Sequence, residues 1–231
     1  MAISATYITL QRQIADELID SQHLLSVISG SSLTLSPIQN AIQSAVSKWE
    51  REPFYFNEVY STPLFTTVNA QEFYTSADAA AIATTPEIYQ LHALINANRY
   101  ALAVKSWAEL DVVSVNPSAT GEPQDYAVFA SQIRLYPIPN GAYPIRASRT
   151  QKITALSADN DTNVWTQDAF DLIRSEAKLI LAEEVIHDDD LAVRMRRAIY
   201  GVPGVGGRGY LGALRAETFR RARSRIKPSQ F

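Results

Sequence analysis

The period of the hydrophobic pattern changes twice along this chain, and that change limits the folds open to it. Up to Arg51 the apolar residues recur at three- and four-residue intervals. From Phe54 to Ile153 they alternate with polar ones, and from Thr166 the helical interval returns. A pattern of period 3.6 does not settle as strand, nor one of period two as helix, so each stretch needs its own packed face. The order of helix, strand and helix predicts an α+β fold: a helical bundle formed by the N- and C-terminal segments, an inserted antiparallel β-sandwich or barrel-like module, and a basic C-terminal arm. The helical core is assigned to 1–53 and 160–200, the β-rich module to 54–159, and a Gly-rich hinge with a basic helix or arm to 201–231. A chain of 231 residues that is 46% hydrophobic and 19% charged can bury a real core.

Several boundaries have a chemical cause. In the first segment Tyr7, Leu10, Ile14 and Leu18 share one helical face. Ser36 is a cap, Pro37 suits the first helical position and Gln39 completes a capping box. The stripe Ile38, Ile42, Ala45/Val46 and Trp49 follows, and the helix should stop near Arg51 because Pro53 disfavours helix before it. The predicted strands are Phe54–Tyr60, Leu64–Val68, Glu72–Tyr74, Ile88–Ile95, Tyr100–Val104, Tyr126–Ala130, Gln132–Tyr136 and Tyr143–Thr150, with a short helix at Trp107–Val113. Asn140-Gly141 reads as a hairpin turn. Thr166 reads as the cap of a late helix reaching about Ile186, and Asp188-Asp189-Asp190 opens another carrying Leu191 to Ile199. The glycines between Gly201 and Gly212 read as a hinge before a helix from Ala213 to Ile226.

Catalytic and cofactor chemistry find little support. The chain has no cysteine, so thiolate nucleophiles, disulfides and zinc-thiolate sites are excluded. His23, His92 and His187 fall in no recognised catalytic spacing, and His187 beside three aspartates reads as an acidic helix junction before it reads as a metal site. Asp159-Asn160-Asp161-Thr162-Asn163 opens like a calcium loop but has Val164 where the sharp turn needs Gly and Phe170 where the bidentate Glu belongs. Gly204 to Gly209 matches a dinucleotide pattern literally, yet it follows a helix and no βαβ unit surrounds it. No catalytic residue, metal or cofactor is assigned. The N-terminus has no basic flank or long apolar run, so no signal peptide or membrane span is expected, and the protein should be soluble in the cytoplasm where it is made.

Charge is distributed unevenly. From Leu191 to Phe231 there are ten Lys/Arg against one acid, Glu217, whereas the preceding residues hold eleven Lys/Arg and twenty-three Asp/Glu. The basic set is Arg194, Arg196, Arg197, Arg208, Arg215, Arg220, Arg221, Arg223, Arg225 and Lys227. Arginine over lysine favours a protein partner, because the guanidinium fork binds carboxylates bidentately. Phosphates of nucleic acid and plain solvation remain open, and no aromatic ladder interleaves the arm to favour single strands.

Four stretches, in order, resemble phage head-to-tail adaptor (connector or head completion) proteins. They are Thr6 to Leu18, Ala45 to Arg51 before Phe54-Tyr55-Phe56, Gly121-Glu122-Pro123 with Tyr126 to Val128 and Ile133 to Pro139, and Asp168 to Leu181. The resemblance implies a structural virion protein at the head-tail junction: a subunit of a homo-oligomeric ring, commonly a dodecamer, below the portal protein. Such a ring extends the channel for double-stranded DNA, takes part in genome ejection and offers a platform to tail or nozzle proteins, with no membrane involved. It also implies that the basic arm reaches the portal, with Arg220, Arg221, Arg223 and Arg225 the foremost contacts. The competing readings are a nucleic-acid-binding protein using the same arm, another tail or nozzle structural protein, and a glycan hydrolase, which would need paired carboxylates in a cleft.

Overall fold

The computed structural model describes residues 5–18, 36–60, 63–114, 116, 118–202 and 208–222. Within them the chain is mixed α+β, with eight α-helices, one π turn and eleven short strands. It divides into two compact units: one holds the chain up to Phe56 and from Ile153 onward, and the other is the continuous stretch Asn57–Lys152 between them.

The first unit is helical. Its described helices are α1 (Tyr7–Glu17), α2 (Pro37–Trp49), α5 (Val164–Gln167), α6 (Phe170–Leu181), α7 (Asp189–Tyr200) and α8 (Tyr210–Ala222). Helix α2 starts as its sequence requires: the Gln39 amide donates to Ser36 Oγ at 3.2 Å, and the Ser36 amide donates to Gln39 Oε1 at 3.0 Å. Helix α6 is the hub, touching α1, α2, α7 and α8. That explains why even its Ser175, Glu176 and Lys178 are buried beside Leu172, Ile173 and Leu181. Leu10 and Ile14 from α1 and Ile38 and Ile42 from α2 join the same core, as do Trp165, Ile199 and Leu211. Each fully buried side chain of this size contributes about 1.5–3 kcal/mol.

Two details of this unit differ from the pattern reading, the cap of the late helix and the start of the first strand. The cap of the late helix is Asn163, whose Oδ1 accepts from the amides of Trp165 (2.9 Å) and Thr166 (3.3 Å), while Thr166 sits inside the first turn. The side chain of Asn163 reaches two orphan amides that a threonine three residues later cannot. The stretch resembling a calcium loop is a structural turn. Asp161 accepts from the Ser157 and Ala158 amides, and the carbonyls of Asp159 and Asp161 receive the Ile8 and Tyr7 amides at the start of α1. Tyr55 and Phe56 lie in a turn, where the expected strand would have begun. Phe54 and Phe56 set their rings edge-on to Trp165 at 6.1 and 5.1 Å.

Helix α6 runs on through a π turn, Ala182–Ile186, to His187, which is left-handed at φ 58° and ends the helix. Asp188 then caps α7 by accepting from the Leu191 amide at 2.9 Å.

The second unit carries the strands. One sheet runs β1 (Glu58–Val59), β11 (Pro144–Thr150), β4 (Ile88–Ile95), β5 (Asn98–Ala101), with β2 (Pro63–Thr66) also on β11. A second runs β3 (Phe73–Tyr74), β9 (Gln132–Tyr136), β8 (Asp125–Phe129), β6 (Ala103–Val104). A small pair joins β7 (Thr120–Gly121) to β10 (Ile138–Pro139). Two pairings, β6 with β8 and β7 with β10, are parallel, so the unit is not purely antiparallel. Leu91, Ile145 and Ala147 from the first sheet and Tyr126, Ile133 and Leu135 from the second fill one core.

The hairpins turn at Asn96-Ala97 and Ala130-Ser131, all four residues at positive φ, as two-residue turns between twisted strands demand. The expected hairpin at Asn140-Gly141 is instead a crossing between sheets, because β9 and β11 belong to different ones. Two short helices, α3 (Ala80–Ala83) and α4 (Trp107–Val113), complete the unit; Ser106 and Glu109 form a second capping box at the start of α4.

Candidate protein-binding surface

The basic C-terminal set falls into three groups. Arg223, Arg225 and Lys227 lie outside the described residues. Arg215, Arg220 and Arg221 belong to α8, which is not a free arm over its described length. Leu211 is only 4% exposed, and Tyr210 and Leu214 pack against the helical core. Gly209 lets the chain approach α7 so closely that a Cβ there would stand 2.3 Å from the Ile199 carbonyl oxygen. Polar contacts then fasten the helix along its length. Arg215 Nε donates to Glu52 at 2.7 Å, the Tyr55 amide donates to Thr218 Oγ1 at 3.2 Å, and the Arg221 guanidinium lies 3.7 Å over the Tyr55 ring.

Glu217 is gripped by Arg220 and Arg221 at 2.6 and 2.7 Å, and their hydrogen bonds draw its carboxyl down to about 2. Hydrogen bonding to Glu52 raises the Arg215 pKa further. Three arginines of the basic helix are therefore already matched by acids of their own unit, although such exposed pairs are weak and can exchange partners.

Arg194, Arg196, Arg197 and Arg208 form the third group. Arg196 is paired with Glu183 at 2.5 Å. Among the described residues Arg194 reaches the Asp190 carbonyl one turn back, at 3.3 Å. Arg197 and Arg208 are exposed, and neither makes an ion pair among the described residues. Around them the structure exposes apolar side chains that a charge count passes over: Val193, Tyr200 and Val202. Val193, Arg197 and Tyr200 stand at i, i+4 and i+7, one stripe of α7. Arginine beside aromatic and aliphatic groups is the composition of a protein interface, and the heptad-like spacing was the signal available in the sequence.

The β-rich unit exposes a second apolar patch. Trp107 lies between Phe73 (5.9 Å, stacked) and Phe129 (5.5 Å), with Val104, Val112 and Val128 exposed nearby in the chain. Beneath it Arg134, 7% exposed, donates to Glu72 at 2.5 Å and to Asp111 and Ser114, and faces both the Phe73 and Trp107 rings. Burial alone would lower the Arg134 pKa, but the hydrogen bonds to Asp111 and Glu72 outweigh it and raise the value. Arg134 is a strut under α4, fixing the rings above it.

Among the described residues no three His, Asp or Glu side chains gather to hold a metal ion, and no helix is long and apolar enough to cross a membrane.

The family model described as SU10 adaptor protein matches residues 5–223, spanning both units and all of α8. A comparison with curated proteins gives no match. The match covers nearly the whole length, and that places it: this chain belongs to the SU10 adaptor protein family, a family of phage head-to-tail adaptors.

Proposed function

We propose that this chain is a structural virion subunit that forms a ring, commonly twelvefold in such adaptors, below the portal protein. In this reading the ring extends the DNA channel and presents the β-rich unit as a platform for tail or nozzle proteins. The observation that carries it is the family match across residues 5–223. The exposed basic and apolar stripe of α7 supports it independently, since such a mixture suits a protein partner better than a phosphate lattice.

Portal contact falls first to the arginines that make no ion pair among the described residues, Arg197 and Arg208, then Arg194, with Val193 and Tyr200 as apolar anchors. Arg223, Arg225 and Lys227, which lie outside the described residues, belong to the same proposed basic set by sequence. Arg196, Arg215, Arg220 and Arg221 join only by exchanging Glu183, Glu52 or Glu217 for acids of the portal.

Co-sedimentation with portal rings tests this. The full chain should pellet with the portal, whereas the double change Arg197→Glu and Arg208→Glu, or truncation after Ala222, should reduce binding about tenfold or more with the fold intact. Undiminished binding by both variants would remove this surface from the portal contact.

A further inference from the structure

A second charged surface lies on the β-rich unit, on the side of the five-stranded sheet turned away from its core. Along β11, Ile145 and Ala147 enter the core while Arg146 and Ser148 point the other way, because successive strand residues alternate. The register carries that face across the sheet. Arg146 lies opposite His92 on β4, His92 opposite Ala101, and Leu94 opposite Arg99 on β5 at the end of the sheet. The Arg99 guanidinium sits 5.0 Å from the centre of the Tyr60 ring, and that ring meets the His92 imidazole edge-on at 5.6 Å.

Arg99, His92 and Arg146 thus share one face with an aromatic ring among them. No carboxylate pairs with either guanidinium among the described residues. The Nε of Arg146 and the Nδ1 of His92 are shielded from solvent and have no hydrogen-bond partner among the described residues. Burial, and then the charge of Arg99, hold the imidazole pKa below its ordinary value. Partly desolvated donors with no acceptor are unfavourable in the lone subunit, and an arriving anion relieves them.

The same chain carries a complement. The π turn and the first turn of α7 expose Glu184, Asp189 and Asp190. Their neighbours are committed, Glu183 to Arg196 and Asp188 to the Leu191 amide. The three exposed acids make no ion pair among the described residues.

We propose that the sheet face formed by Arg99, His92 and Arg146 receives the acidic ridge Glu184, Asp189 and Asp190 of a second copy of this chain. The inference rests on the ring reading above and gives it a contact. Two different surfaces meeting make a head-to-tail interface, which repeats from copy to copy and closes into a ring when the rotation per copy divides a full turn, whereas a like-with-like patch would stop at a twofold dimer. The arginine forks donate to the paired oxygens of a carboxylate, and the Tyr60 ring lies beside them.

The test uses two full-length variants, one with Arg99→Glu and Arg146→Glu, the other with Glu184→Arg, Asp189→Arg and Asp190→Arg. Assembly is measured by sedimentation velocity, alone at rising concentration and on the portal ring as template. Each variant by itself should assemble about tenfold more weakly or worse than the native chain. An equimolar mixture of the two should assemble like the native chain, since every reversed face then meets a reversed ridge. If the first variant fails to fold, Arg99→Glu alone, at an exposed strand position, takes its place in the mixture. Undiminished assembly of either variant, or a mixture no better than its components, overturns the proposal and leaves the ring standing. Loss of assembly with the face variant but not the ridge variant also overturns it, and assigns the face to a different partner. A native chain that never self-associates, even on the portal, overturns this contact and the ring together.

Discussion

Replacing Gly209 by alanine tests whether the last described helix belongs to the body of its own subunit. A methyl group there would stand 2.3 Å from the Ile199 carbonyl oxygen and 2.4 Å from the Gly201 amide nitrogen, where ordinary contact begins at 3.4 Å. Both neighbours are backbone, so the segment entering α8 must move by roughly 1 Å, at a cost of about 2 kcal/mol. Against this stands the burial of Leu211 with parts of Tyr210 and Leu214, worth about 4 kcal/mol in all. Helix α8 should therefore remain docked, but its open fraction should rise about 30-fold, since 1.4 kcal/mol is a factor of ten. Thirteen residues are too few to hold a helix alone in water, so opening unfolds it. Amide hydrogen exchange reads the change directly. Amides of 211–222 should lose about 30-fold in protection while those of α2 hold theirs. Equal protection in both proteins, or a loss spread evenly over both helices, would refute the close approach.

Four further outcomes follow from the same geometry. Arg134→Met should lower the stability of the β-rich unit by about 3 kcal/mol in urea titration, because the mostly buried carboxylate of Glu72 and Asp111 on α4 both lose their partner; a change within 0.5 kcal/mol would show that the strut is idle. Lys48→Met strands Glu176, 2% exposed, without its partner at 2.5 Å, and should cost about 3 kcal/mol, most of it regained by adding Glu176→Gln. Ser36→Ala removes the Oγ that accepts from the Gln39 amide, leaving only the backbone half of the capping box, and should cost about 1 kcal/mol by thermal unfolding, with Thr in its place nearly neutral. Glu217, with its carboxyl at about 2 against an ordinary value of about 4.3, lends α8 a contribution that is complete above pH 4.3 and is lost as pH falls toward 2. Its carboxyl carbon should titrate near 2 by NMR, and a midpoint above 4 would show that Arg220 and Arg221 do not hold it.

Local chemistry made the helices readable in the sequence. Ser36, Pro37 and Gln39 announce α2, and Trp107–Val113 coincides with α4 because its ends are set by neighbours within three residues. The strands were legible as runs, but their partners were not. Asn140-Gly141 has hairpin chemistry and still bridges two sheets, since which strands pair is decided by the shared core of Leu91, Ile145, Ile133 and Leu135. The working turns, Asn96-Ala97 and Ala130-Ser131, place alanine at positive φ, a local cost that only tertiary packing sustains.

Charge showed the same limit. The excess of arginine after Leu191 is plain in the sequence, yet Glu52, which holds Arg215, lies 163 residues away, and no sum over composition finds it. The opposite case is Arg99, His92 and Arg146. They look unrelated along the chain, and register alone puts them on one face.

The central claim is that this chain builds a collar on the portal. Electron microscopy of the protein mixed with its portal ring addresses it most directly. The account predicts a second ring stacked coaxially on the portal, with the portal's own symmetry and the helical units against it; portal particles unchanged in outline at saturating protein would contradict it.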